Sequence, residues 1–177
     1  LVPGGAERVA LGLGSGLGRH GLRSLIVTLR EPGPIGEELS RFGLRVVSRI
    51  ASSRHDPGAA GRLARLMKSE SVDLLFCFDH HNAIFWGSIA STMAGVKKRL
   101  LSVHSTGLWG RKSSFTLSDR MVLPLFDKVV ALASPHADYL EHGEGIPGEK
   151  IVVIHNGVDT KRFSPVGSPA GRERMRK

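Results

Sequence analysis

The chain has 177 residues, 41% hydrophobic and 23% charged, so it is long enough to bury a core without a disulfide or metal staple. Gly 22 and Pro 9 are too few for collagen-like or low-complexity sequence, and a single cysteine, Cys77, excludes an intramolecular disulfide and a Cys-rich zinc site. Lys+Arg 25 against Asp+Glu 16 leaves a net charge of +9, which favours an anionic partner: nucleic acid, anionic lipid or a phosphorylated ligand.

In chain order, Val9, Leu13 and Leu17 form an i, i+4, i+8 stripe that predicts a helix over residues 6–20, stopped by Gly21. Short β-branched runs then recur at 25–29, 44–47, 73–78, 99–103, 128–132 and 151–154. Runs that are apolar on both faces suit a parallel sheet covered by helices on both sides. Between them, Leu63, Leu66 and Met67 predict a helix over 58–69, with Asp56 and Pro57 as its start signal. Phe85, Ile89 and Met93 predict another over 82–94, ended by Gly95. Ser134 as cap and Pro135 at the first helical position open a third, running to about His142 and ended by Gly143. Strands alternating with helices give right-handed βαβ units: an α/β, Rossmann-like, doubly wound parallel sheet. Such a sheet needs a strand ahead of the first helix, so the expectation is a first strand truncated before Leu1. The expected organisation is one domain over 1–165 and a linker over 166–177, rich in Gly, Pro and Arg, leading toward a second domain.

No apolar run reaches the roughly 18–20 residues that span a bilayer, and no signal-peptide pattern opens the chain. Together with the lone cysteine this gives a cytoplasmic expectation. Gly4 and Gly5 stand directly before a helix N-terminus, where backbone N–H groups and the helix dipole attract phosphate. The run Gly16-Leu17-Gly18-Arg19-His20-Gly21 spells a dinucleotide fingerprint in the wrong context, because a strand follows it and none leads into it. His80 and His81 follow one strand and His104 follows the next, at the edge where open α/β sheets bind ligands. Asp79 or Asn82 serving only as a helix cap is the plainer reading of the first pair. No third and fourth ligands at recognisable spacing support zinc there, so no metal is expected. Ser102, Ser105 and Thr106 put hydroxyls beside His104, but no nucleophile elbow is present. The better role for His104 is a hydrogen-bonding or polarising imidazole facing a polyhydroxyl substrate. Trp109, Arg111 and Lys112 mix aromatic and basic character, which suits an anionic membrane surface, a lipid-linked ligand or stacking on single-stranded nucleic acid, and equally a plain helix-flanking loop with exposed charge.

These pieces resemble one family. Gly4-Gly5-Ala6-Glu7-Arg8 is similar to the opening of the large retaining group of GT-B glycosyltransferases called family 4 or group 1. The stretch from Gly145 to Asp159 resembles that family's giP-x-x-K-i-x-V-I-x-N-G-V-D exit from its N-terminal domain, followed by Arg162-Phe163-x-Pro165. The resemblance implies two Rossmann-like lobes with the active site between them, this chain supplying the N-terminal, acceptor-side lobe. It further implies transfer of a sugar from a nucleotide-sugar to a hydroxyl acceptor with retention, in lipid-linked glycan or cell-surface polysaccharide synthesis, at the inner membrane face. The nucleotide-sugar is a substrate, and no cofactor is implied. Gly4 and Gly5 would touch the donor's diphosphate. His104 would be catalytic, His80, His81 and Ser105 would meet acceptor or sugar, and Asn156 and Gly157 would lie at the hinge. Trp109, Arg111 and Lys112 would contact the membrane or a lipid acceptor. The donor-binding Glu-x7-Glu motif would belong to the other lobe. Two other readings stay open: a non-enzymic nucleotide-binding Rossmann domain, and a basic nucleic-acid binder, for which no motif is present.

Overall fold

The computed structural model describes residues 5–41, 43–53, 55–78, 81–105 and 115–157. The elements alternate: α1 (Gly5–Leu17), β1 (Leu25–Val27), α2 (Gly33–Arg41), β2 (Arg45–Val47), α3 (Gly58–Ser69) and β3 (Leu74–Phe78). They continue as α4 (His81–Ala94), β4 (Lys98–Ser102), α5 (Leu117–Val122), β5 (Lys128–Ala131), α6 (Ser134–Asp138) and β6 (Ile151–Val153). Every strand pairing is parallel. Each of the six apolar runs supplies one strand, and the helical connections are what parallel pairing requires. The α/β, doubly wound expectation is met.

The strands form two groups, β1-β2 and β3-β4-β5-β6. Helix α3 joins the two sides. Its Leu63, Ala64 and Met67 pack with Ile50, Ala90 and Val96, against Val27 and Val47 from one group and Leu75 from the other. The larger core lies around β4 and β5, where Leu101, Val103, Val129 and Ala131 pack with Cys77, Ile84, Phe115, Phe126 and Leu140. Burial pushes the Cys77 thiol up to about 12. It sits beneath α4 at Gly87, where a Cβ would lie 3.1 Å from its Sγ, so the missing side chain lets helix and strand approach.

Helix α4 corrects one expectation. The predicted stripe ends at Met93, which is exposed, whereas the buried face carries Ile84, Gly87, Ser88, Ala90 and Ser91. Small residues allow close packing on the alanines of α3, and the serine hydroxyls are satisfied within the helix: Ser88 donates to the Ile84 carbonyl and Ser91 to that of Ser88. Helix α1 behaves likewise. Leu13 is exposed, and among the described positions of α1 the buried one is Gly14, against Leu44 and Ile26. Gly21 (φ 74) and Gly95 (φ 78) are the left-handed stops expected of them. Gly143 is not: the last turn runs through it as a π-helix, Tyr139–Gly143, and Gly145 (φ 72) makes the left-handed turn. Ser134 is not a cap either. The N-cap is Ala133, and His136 Nδ1 accepts from the Leu132 amide instead (3.2 Å).

Two helices are additional. Helix α2 begins in Pro32-Gly33-Pro34 and α5 is six residues long. Helix α5 opens on a capping box, in which Thr116 Oγ1 accepts from the Asp119 amide and Asp119 accepts from the Thr116 amide (2.8 Å).

Helix α3 starts as Asp56 predicts. Its carboxylate accepts from the Ser52 amide (2.8 Å), the Ser52 hydroxyl (2.7 Å), the Gly58 amide (2.9 Å) and the Arg62 guanidinium. The Ser52 bonds foremost, with the Arg62 charge, hold Asp56 at about 2, below its ordinary 3.8. A carboxyl held low in the folded state stabilises above its unfolded value and loses that contribution as pH falls through the folded one. Between about pH 4 and pH 2, therefore, the wild type should lose thermal stability more steeply than Asp56→Asn. At pH 7 the variant should be the less stable of the two, and melting curves at stepped pH read both effects.

Candidate functional site

In a crossover unit the helix runs antiparallel to its strands, so helix N-termini and strand carboxyl ends share one edge of the sheet. That edge carries Gly5 at the start of α1, His81 at the start of α4, His104 and Ser105 beyond β4, and Asn156 and Gly157 beyond β6. Gly4, His80, Trp109, Arg111 and Lys112 lie outside the described residues, as do Asp79 and Thr106.

His104 is the best-defined side chain of the group. Phe78 and Ser102 are register partners at the carboxyl ends of β3 and β4. Two residues further along β4 returns to the same face, so Ser102 and His104 stand side by side. Ser102 Oγ lies 3.0 Å from His104 Nε2, and the Phe78 ring lies 5.5 Å from the imidazole, tilted by 33°. The Val103 amide donates to Val130 (3.1 Å), which ties the intervening backbone to β5. The imidazole is thus oriented by a hydroxyl and a ring while remaining half-exposed. Ser102 is 3% exposed, so its hydroxyl is placed to position the imidazole rather than to attack a substrate. Ser105 is exposed beside it.

The other positions carry less local structure. A Cβ at Gly5 would meet nothing within 4 Å, so the protein's own packing does not demand glycine there. Asn82 is inside α4, half-buried. Asn156 and Gly157 are exposed, just past the last ladder bond, from the Ile154 amide to the Ala131 carbonyl (2.9 Å). Among the described residues no three His, Cys, Asp or Glu side chains are grouped to hold a metal ion.

The sequence model of Glycosyltransferase Family 4 matches residues 3–162. The chain belongs to glycosyltransferase family 4. The fold agrees. A glycosyltransferase from Rickettsia africae ESF-5 superposes with a TM-score of 0.71 at 23% identity, over 99% of this chain and 46% of that one. Anabaena Alr3699/HepE, in complex with UDP and glucose, superposes with a TM-score of 0.72 at 19% identity, over 98% of this chain and 46% of that one. Its complex with UDP gives 0.74 at 18% identity, with the same coverage. This family 4 chain therefore spans about half the length of the solved glycosyltransferases it resembles. A search among curated proteins finds no match.

A second cluster, which sequence reading did not group, lies where β1 and β2 end. Arg30, Glu31, Arg49, Ala51, Ser52 and Arg62 line a cavity of about 450 Å³. Arg49 pairs with Glu31 at 2.9 Å in the open, and that pairing lowers the Glu31 carboxyl below its ordinary range. No helix of the described residues is long and apolar enough to cross a membrane.

Proposed function

We propose that this chain is the acceptor-side lobe of an enzyme that transfers a sugar from a nucleotide-sugar to a hydroxyl acceptor with retention of configuration. The observation that carries this reading is the family match over residues 3–162, with the carboxyl edge of the sheet as its site. In this reading the amides at Gly4 and Gly5 meet the donor's diphosphate at the start of α1, where the helix dipole favours negative charge. His104, steadied by Ser102 and Phe78, meets the transferred sugar or the acceptor hydroxyl. In the same reading His80, His81 and Ser105 would meet the acceptor or sugar, and Asn156 and Gly157 would form the hinge toward a second, donor-binding lobe. The UDP and glucose bound by Alr3699/HepE support a nucleotide-sugar donor. The donor is a substrate, and the proposed transfer uses no separate cofactor.

The acceptor we propose is a glycan, lipid-linked or destined for the cell surface, met at an anionic membrane face. Leu117, Met121 and Leu125 recur at i, i+4, i+8 along α5 and the turn after it, with Leu117 80% and Met121 73% exposed. They directly follow the segment holding Trp109, Arg111 and Lys112. Apolar and basic residues side by side are the composition of an interfacial contact.

The test is to incubate the full-length enzyme with a panel of nucleotide-sugars and polyprenyl-phosphate-linked or free glycan acceptors, and to read the anomeric configuration of the product by NMR. Transfer with the donor's configuration kept is the expected result. Inversion would overturn the mechanism, and nucleotide binding without turnover across the panel would favour a non-enzymic nucleotide-binding domain.

A further inference from the structure

The cavity at the ends of β1 and β2 has a chemistry of its own. Three guanidinium-bearing residues converge there from three elements: Arg30 after β1, Arg49 after β2 and Arg62 from the second turn of α3. Their anchoring is specific. The Arg49 amide donates to the Arg30 carbonyl (2.9 Å), which also accepts from the Thr28 hydroxyl (3.0 Å). Arg49 is held at φ 59, a left-handed conformation that is uncommon for a residue with a side chain and that clusters at ligand sites. Arg62 donates through Nε to the Ile50 carbonyl (2.7 Å) and through its terminal nitrogen to Asp56.

The charges do not cancel. Asp56 is already engaged by Ser52, Gly58 and Arg62. Glu31 answers Arg49 in a solvent-exposed pair, and such pairs contribute little and exchange easily. Arg30 makes no ion pair among the described residues and shares only the field of Glu31, which Arg49 already holds. The lining therefore sets one carboxylate, Glu31, against three guanidiniums around a space within the roughly 300–1,000 Å³ range of small-molecule sites. Guanidinium groups are suited to carboxylate and phosphate, which they bind through paired N–H donors. The cavity stands at strand carboxyl ends, where ligands enter open α/β sheets.

We infer that this cavity is a subsite for an acidic sugar or sugar phosphate of the acceptor, read by Arg30 and Arg62 with Arg49 released from Glu31 as the anion enters. The inference rests on the proposed glycosyltransferase reading for the word acceptor, and on the cavity alone for the anion.

The experiment keeps the two apart by measuring binding rather than turnover. The full-length protein is titrated with glucuronate, glucose 6-phosphate, glucose and inorganic phosphate, with the arginine Nε–Hε resonances followed by NMR. Expected are saturable shifts with glucuronate or glucose 6-phosphate and none with glucose. Arg30→Gln, a change outside the Asp56 network, should weaken binding about tenfold, the loss of one charge-assisted contact. Arg62→Gln should weaken it further. Because Arg62 also braces α3, the melting temperature of each variant is measured alongside, and the Arg30 result decides if Arg62→Gln does not fold. Binding unchanged by Arg30→Gln, or no binding of either acidic sugar, would overturn the subsite. Inorganic phosphate binding as tightly as the sugar phosphate would reassign it to a free anion, and displacement by UDP would reassign it to the donor; either result overturns the acceptor assignment. Failure of sugar transfer with intact anion binding would instead count against the enzyme reading alone.

Discussion

His104→Ala in the full-length enzyme should lower kcat by about 10²-fold, roughly 2.7 kcal/mol of transition-state stabilisation, the order expected when a positioned acid–base or polarising imidazole is removed. The fold should survive, because the residue lies beyond the last paired residue of β4 and is only half-buried. Ser102→Ala should have a smaller effect on kcat, because Ser102 reaches the substrate only through the imidazole it orients (3.0 Å). It should also shift the pH–rate profile, since the Ser102 hydroxyl exchanges a hydrogen bond with His104 Nε2 and its loss changes which form of the ring is favoured. A purely structural serine would change stability and leave the profile in place. His104→Ala with near wild-type turnover would remove His104 from the site.

Phe126→Ala should be the most damaging single truncation. Phe126 is 0% exposed, packed among Leu101, Val129 and Leu140, and it enters the core just before β5. Removing a buried phenyl ring costs about 3–5 kcal/mol, because the cavity adds to the lost transfer energy. Against a total stability of about 5–15 kcal/mol that is a large fraction. Denaturant unfolding should show the midpoint falling with the slope unchanged. Lys150 Nζ donates to the carbonyls of both Pro124 and Phe126 (2.9 Å each) and ties this turn to the start of β6. The loss should therefore spread to both strands, visible as faster amide exchange in β5 and β6 than in α3. A change below about 1 kcal/mol would mean that the ring is not the centre of this core.

The strands were legible because parallel strands covered on both faces read as continuous apolar runs, and runs such as Leu74–Phe78 and Lys128–Ala131 have no competing helical period. Helix α3 was legible for a related reason: Leu63 and Met67 carry its buried face. The stripes of helices α1 and α4 coincide only in part with the faces they bury: Val9, Leu17, Phe85 and Ile89 are half-buried, Leu13 and Met93 are exposed, and Gly14 and the small residues from Gly87 to Ser91, which carry little apolar signal, pack inward. Helix α2 was hidden by punctuation, because Pro32, Gly33, Pro34 and Gly36 read as a loop although proline is tolerated in a helix's first turn. Helix α5 is six residues long and its Leu117 and Met121 face solvent, so their i, i+4 spacing marks no buried face; Thr116-x-x-Asp119 is the signal that would have found it. In the site, the Ser102–His104 contact follows from strand alternation between residues two apart. The arginine cavity does not, because Arg30, Arg49 and Arg62 are joined only by the pairing of β1 with β2 and the return of α3.

If the carboxyl edge of β4 faces the transferred sugar, the imidazole spectrum of the full-length enzyme labelled in its histidines will report it. His104 is assigned by its disappearance in His104→Gln, and UDP, then UDP-glucose or the donor found active, is titrated in. The His104 resonances should move in a saturable way with the intact nucleotide-sugar, more than with UDP alone, while those of His142, exposed in the last helical turn, should stay in place. Saturated donor binding that leaves His104 unmoved would contradict that placement of the β4 edge.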